Sequence, residues 1–265
     1  MSDQPIEPRS DRVAVPATLP TAAAAQGPID HEGLAGPAPA EAARPDAPES
    51  PDAGPDAATE ALEPAALPAT PLRKRPKPGE RRIQILQMLA RMLEQPGAER
   101  ITTASLAARL DVSEAALYRH FASKAQMFEG LIEFIESSIF TLVNQVAERE
   151  PVAALQAQKI VLLLLQFGER NPGMVRVMTG DALVFEHERL SLRMNQFFDR
   201  LESQLRQCLR LAAEAQGSTT PSVDAQALAS ALTALAVGRL HRYARSGFKR
   251  APTEQLDLAL ARLVA

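Results

Sequence analysis

After residue 80 the apolar positions recur at spacings of three and four through most of the chain, and no segment alternates apolar and polar residues between hairpin turns as a half-buried strand does. The pattern predicts an all-α fold. Ile85, Leu86, Leu89 and Leu93 mark a first helix that stops before Gln95-Pro96-Gly97. A short second helix carries Leu106, Ala107 and Leu110 on one face, with either Thr102 or Thr103 as its cap. Asp111 stands at the next corner, where its side chain tolerates a left-handed backbone through local hydrogen bonding. Ser113 then caps EAALYRH, residues 114–120, with Leu117 and Phe121 anchored inward and Glu114, Ala115, Tyr118 and His120 left outside. Two short helices around one sharp corner, closed by the first helix, predict a helix-turn-helix unit over residues 79–125.

The remainder, 126–265, reads as a helical body. A long linking helix runs from Ser123 to about Glu148 with Met127, Phe128, Leu131, Phe134, Ile135 and Ile139 along it. Pro151 opens another, whose Ile160 to Leu165 run is apolar on nearly all sides and therefore central; it ends at Gly168 to Asn171, before Pro172 and Gly173. Two further helices are expected to close the chain. The first repeats Leu190, Met194, Phe197, Leu201, Leu205 and Cys208; the second, 224–244, is rich in Ala, with Leu228, Leu232, Leu235 and Leu240. Large residues on one and small residues on the other suit close packing, so two copies can form a symmetric four-helix bundle, and the same pattern also serves to finish a monomer core.

Composition changes the picture at the N-terminal end. The first 72 residues hold 14 of the 21 prolines and carry 12 acids against 3 bases, set mostly in Ala, Pro and Asp, so they bury little apolar surface and are expected to be disordered. The rest of the chain then has 20 acids and 26 bases, so a formally acidic protein has a basic body. The extension, taken as residues 1–78, ends in a basic arm: Arg73, Lys74, Arg75, Lys77, Arg81 and Arg82 fall within ten residues, with Glu80 alone opposing them. Such an arm fits a DNA backbone or minor groove; its plainer alternative is a solvated boundary of the extension.

The outward side chains of the helix-turn-helix suit duplex DNA. Ala115 and Ala116 let the helix backbone approach the major-groove floor and touch a thymine methyl, Arg119 pairs with guanine or with phosphate, and Glu114 accepts from cytosine N4 or complements its helix dipole. Tyr118, His120 and Lys124 suit phosphates. Ser123 followed by Gln126 is a capping box, which sets Lys124 on a helix N-terminus that favours an anion. Thr102, Thr103 and Ser113 complete the candidate DNA face. An ordinary αα-hairpin turned to water satisfies the same spacing, and His120 also fits a solvated position.

Other classes find little support. Cys208 is the single cysteine and the four histidines are dispersed, so no metal site and no cofactor are expected. There is no paired acid and base, no nucleophile beside a base and no phosphate loop, so an enzyme is not expected. The start MSDQPIEP lacks a cationic segment followed by an apolar one, and the longest apolar run, Ile160 to Leu165, is six residues against the ~20 needed to cross a bilayer, so a soluble cytoplasmic protein is expected.

ITTASLAARLDVSEAALYRHFASK resembles the DNA-binding domain of the tetracycline-repressor family, and the helical remainder is similar to that family's plan. LIEFIESS at 131–138, IVLLLLQFGERNPGMVRVMTGDALVFE at 160–186 and RSGFKRAPTEQLD at 245–257 resemble, more narrowly, its nucleoid occlusion factors. The likeness covers roughly 80–260, with GERNPG as its most specific marker. It implies a homodimer on palindromic double-stranded DNA, able to assemble further there, that contacts the division protein FtsZ and stops septum assembly across the nucleoid. It also implies a groove between the linking helix and the next for the FtsZ C-terminal tail, formed by Phe134, Leu163, Arg170 and Asn171. Phe134 and Leu163 also have core spacing, Arg170 also complements a helix dipole, and Asn171 before Pro172 is also a stop signal. The alternative within the same superfamily is a repressor released from DNA by a small-molecule ligand.

Overall fold

The computed structural model describes residues 79–95 and 100–264; the expected acidic extension and the arm cations Arg73 to Lys77 lie outside these residues. The first helix, α1, spans Glu80–Leu93. Gly79 caps it at φ 88, Glu80 sits in its first turn and Arg91 in its last, as the helix dipole favours. Arg81 and Arg82 therefore belong to the helix and not to an arm before it. Helices α2 (Thr103–Arg109) and α3 (Glu114–Tyr118) follow, then the linking helix α4 (Lys124–Arg149). The body adds α5 (Ala153–Arg170), α6 (Pro172–Met178), a 3₁₀ turn at Asp181–Leu183, α7 (Glu188–Ala215), α8 (Pro221–Arg245) and α9 (Leu256–Leu263).

Periodicity located the ends of α4 and α5 to within a residue or two, while α8 begins three residues before the expected 224; α6, the 3₁₀ turn and α9 are additions to the expected plan. The last two expected helices do not close the chain: Leu256 and Leu260 of α9 are buried, and α9 packs on α5. At seven and eight residues, α6 and α9 present too few turns for a periodic signal. Pro172 also has two roles. It ends α5 as expected and occupies the first position of α6, where its missing N–H costs nothing.

One apolar core runs through the helix-turn-helix and the body, with Phe121, Phe128, Phe167 and Phe197 each nearly inaccessible. α7 and α8 form the most extensive helix pair, and α5 packs on α7, α4 and α8. The Ile160 to Leu165 run is central, with Leu164 and Leu165 at 0% exposure. α1 packs on α4 and α6 and so joins the helix-turn-helix to the body. The α1–α6 contact depends on glycine, since a Cβ on Gly173 would lie 2.1 Å from the Ala90 carbonyl oxygen, whereas one on Gly130 would meet only the Leu86 side-chain tip, at 3.0 Å. Cys208 is buried, its Sγ 3.3 Å from Gln156 Oε1, and burial pushes its thiol pKa up.

Candidate nucleic-acid interface

The corner between α2 and α3 is set by backbone chemistry. Thr102, not Thr103, is the cap of α2: its Oγ1 accepts from Ser105 N at 3.1 Å while Ser105 Oγ accepts from Thr102 N at 3.2 Å. Asp111 takes φ 55, the left-handed conformation its position at the corner calls for. Ser113 then caps α3, with its Oγ accepting from Ala116 N at 3.3 Å. The recognition helix is shorter than the 114–120 segment predicted: regular helix ends at Tyr118, and His120 N bonds to Leu117 O in a tightened last turn. Leu117 and Phe121 are both 1% exposed and hold it to the core.

Glu114, Ala115, Tyr118, Arg119 and His120 are all exposed on this element, and Ala116 is half-buried. Tyr118 keeps 47% of its surface open, unusual for an aromatic ring and suited to a phosphate or sugar contact. Glu114 is engaged within the unit, its Oε2 accepting from Thr103 Oγ1 at 2.6 Å, so the carboxylate and Thr103 brace α2 against α3. A base contact from Glu114 must compete with that bond.

Lys124 stands at the first position of α4, where Ser123 Oγ accepts from Gln126 N at 3.2 Å. Gln126 Oε1 reaches back to Ala122 N at 2.8 Å, one residue earlier than a standard capping box. The Lys124 ammonium is paired with Glu186 from the segment before α7 and lies 5.7 Å from the centre of the Phe128 ring. This is the first rung of a ladder between α4 and the α7 side. Glu129 pairs with Arg189 at 2.8 Å and Glu136 with Arg193 at 2.5 Å, so the charges are reversed at the first rung.

Two contributors had no signal in the sequence. Arg82 Nη1 donates to His120 O at 2.9 Å, and its guanidinium lies 4.1 Å from the Phe121 ring centre, so a residue read as part of the arm fastens α1 to the end of the recognition helix. Glu186 is the other. Their partners lie 38 and 62 residues away in sequence, beyond the reach of any local pattern.

The candidate groove residues sit apart from this face. Phe134 and Leu163 are only 9% and 5% exposed, and Phe134 packs on Phe167 with ring centres 5.9 Å apart. Both are core positions before they are anything else. Arg170 is exposed at the end of α5. Asn171 is buried, and its Nδ2 donates to Phe167 O at 2.9 Å, fixing the α5–α6 corner.

A capped helix-turn-helix with a left-handed corner, joined by a long helix to a helical body, defines a DNA-binding regulator of the tetracycline-repressor class. Residues 85–131 match the family described as "Bacterial regulatory proteins, tetR family", and residues 152–264 match "Tetracyclin repressor-like, C-terminal domain" in its SlmA-like form. Solved structures share the fold at low identity. The transcriptional regulator FadR from Bacillus subtilis, in complex with stearoyl-CoA, aligns with TM-score 0.56 at 12% identity over 69% of this chain and 97% of that one. The tetR-family regulator PfmR from Thermus thermophilus aligns with TM-score 0.54 at 21% identity over 68% and 97%. Curated relatives are far more similar. "Nucleoid occlusion factor SlmA" of Photobacterium profundum is 53% identical over 182 residues, 68% of this chain and 92% of the relative. Its counterpart in Aliivibrio fischeri strain MJ11 is 52% identical over 183 residues, 69% of this chain and 93% of the relative. The chain belongs to the SlmA family of nucleoid occlusion factors, within the tetR class of helix-turn-helix proteins.

Among the described residues no helix is long and apolar enough to cross a membrane, and no cluster of three or more His, Cys, Asp or Glu is placed to hold a metal.

Proposed function

We propose that this protein is a nucleoid occlusion factor: a homodimer that sits on palindromic chromosomal sites, binds the C-terminal tail of FtsZ and keeps the division ring and septum from assembling over the nucleoid in the cytoplasm. The observation that carries this reading is that identity of 53% extends over 92% of a relative bearing that name, and so spans both the DNA-binding end and the body. The exposed recognition helix supports a groove contact in which Ala115 and Ala116 allow close approach and Tyr118, Arg119, His120 and Lys124 hold backbone phosphates. A two-fold partner is supported by α8, whose outer face exposes Val223, Ala227, Ala231, Ala234 and Gly238, small enough for helices to meet closely.

For the FtsZ tail, Phe134 and Leu163 form the floor of the surface between α4 and α5, Asn171 sets its end, and the Arg170 guanidinium clamps a carboxylate of the peptide. Fluorescence anisotropy with a labelled FtsZ C-terminal peptide, with and without a palindromic duplex, tests this. Saturable binding that DNA strengthens, lost in Arg170→Glu with DNA affinity unchanged, is the expected result. Absence of peptide binding in both conditions by a protein that still binds DNA would favour the ligand-responsive repressor. No observation favours that alternative, since the centre of the body is filled by Leu164, Leu165 and Phe167.

A further inference from the structure

The RSGFKRAPTEQLD segment, 245–257, has no part in the candidate DNA face or the candidate groove, yet it forms a built feature at the α8–α9 corner. Between Asp224 and Glu254 the sequence contains no acid, while Arg239, Arg242, Arg245, Lys249 and Arg250 fall within twelve residues. Among the described residues no carboxylate pairs with Arg242, Arg245 or Lys249. A cavity of about 160 Å³ opens here, lined by Arg239, Arg242, Arg250, Pro252, Glu254 and Gln255.

Hydrogen bonds tie the corner down. Ser246 Oγ donates to Tyr243 O at 2.8 Å and accepts from Lys249 N at 3.1 Å and Arg250 N at 3.0 Å. Phe248 takes φ 63 and packs edge-on against Tyr243, and Gln255 takes φ 51. Two non-glycine residues held left-handed within eight positions mark a segment that its surroundings over-determine. Arg239 Nη1 donates to the carbonyls of Pro252 at 3.0 Å and Glu254 at 2.8 Å, which folds the loop over the guanidinium. Its Nε is buried and has no hydrogen-bond partner among the described residues.

Complementing the α8 dipole accounts for Arg242 and Arg245 in the last turn, but not for Arg239 further inside the helix or for Arg250 arriving from the loop. Glu254 is the only acid in the lining, and its pair with Arg250 at 3.2 Å is exposed and weak. Arg239, Arg242 and Arg250 all line this small cleft, and guanidinium groups are the side chains best suited to an oxyanion such as phosphate. We propose that the α8–α9 corner is a second anion site, separate from the recognition helix, that takes a phosphate group. The phosphate comes either from a free polyphosphate-type ligand or from duplex backbone flanking the palindrome.

Calorimetric titration of the full chain with inorganic pyrophosphate tests the first source, and anisotropy with palindromic duplexes of short and extended flanks tests the second. Arg242→Ser and Arg250→Ser are suitable variants because both side chains are exposed, and Arg245→Ser removes a cation outside the cleft as a control. Saturable pyrophosphate binding weakened about tenfold in the cleft variants, but not in the control, establishes the site with a free phosphate as its source. An affinity gain from longer flanks that disappears in the cleft variants alone establishes it with duplex backbone. The proposal is overturned if wild type and cleft variants respond alike to both probes, or if Arg245→Ser is as damaging as they are.

Discussion

Replacing Gly173 by alanine tests the joint between the DNA-binding unit and the body. The added Cβ would lie 2.1 Å from Ala90 O and 3.3 Å from Leu93 Cβ, whereas real Cβ contacts do not fall below 3.0 Å, so α1 and α6 must separate by about 0.9 Å. The obstructing atom is a helix carbonyl with no rotamer to change. Overpacking against an atom that cannot move lies at the upper end of the usual range, about 2–3 kcal/mol, and alanine returns up to ~1 kcal/mol of helix propensity. The expected net loss is about 1–2 kcal/mol, or a Tm lower by about 2–8 °C in a protein of this size. Gly168→Ala is the control: its Cβ would meet Leu240 Cδ2 at 2.6 Å and Val175 Cγ2 at 3.1 Å, both side-chain tips that can give. Its Tm is expected within ~3 °C of wild type. Differential scanning calorimetry of the three proteins decides the matter. If Gly173→Ala melts at or above the wild-type temperature, or Gly168→Ala is the more damaging, the close approach does not constrain the joint.

Two other expectations concern charge. Lys124→Ala should weaken DNA binding across sequences and reduce the slope of log K against log salt by ~0.9 in magnitude, while Glu186→Gln, which releases the Lys124 ammonium, should tighten it; anisotropy at several salt concentrations reads both, and opposite or null shifts remove Lys124 from the phosphate contacts. Glu150 has its pKa lowered by the hydrogen bond from Lys159 and then by that from Val152 N–H. The unfolded chain therefore binds the proton more readily, so this stabilisation is complete well above the ordinary value of 4.5 and is lost as pH falls from there through the lower folded value. Thermal melts of wild type and Glu150→Gln should differ at neutral pH and converge in acid; a gap independent of pH would contradict the assignment.

The parts of the site that were legible in the sequence are those with local causes. Ser113 as a cap, Asp111 at a left-handed corner and Leu117 with Phe121 as anchors follow from interactions within a few residues, and each is where the sequence put it. What sequence reading missed is long-range. Thr103 reads as an alternative cap until Glu114, eleven residues on, is seen to accept its hydroxyl proton. Arg82 reads as part of a basic run because nothing nearby announces Phe121. GERNPG was recognisable as a marker, but the reason for its final glycine, the approach of Ala90 O, exists only once α1 and α6 are brought together. Phe134 and Leu163 carry both core and contact readings at the same spacing; their burial shows the first, and the second rests on peptide binding.

The reversed first rung of the α4–α7 ladder makes Lys124 a shared resource. In the proposed contact a DNA phosphate would compete with Glu186 for the same ammonium, and Glu186 directly follows the pair Val184 and Phe185, which are 69% and 67% exposed. On that proposal, a phosphate that takes the lysine would free the carboxylate three residues from Arg189, whose own partner is Glu129. Equilibrium linkage then works in both directions: whatever factor DNA contributes to rearranging this segment, a partner that prefers the rearranged segment returns to DNA affinity. One ion pair would thereby couple the proposed DNA face to the exposed segment that precedes α7.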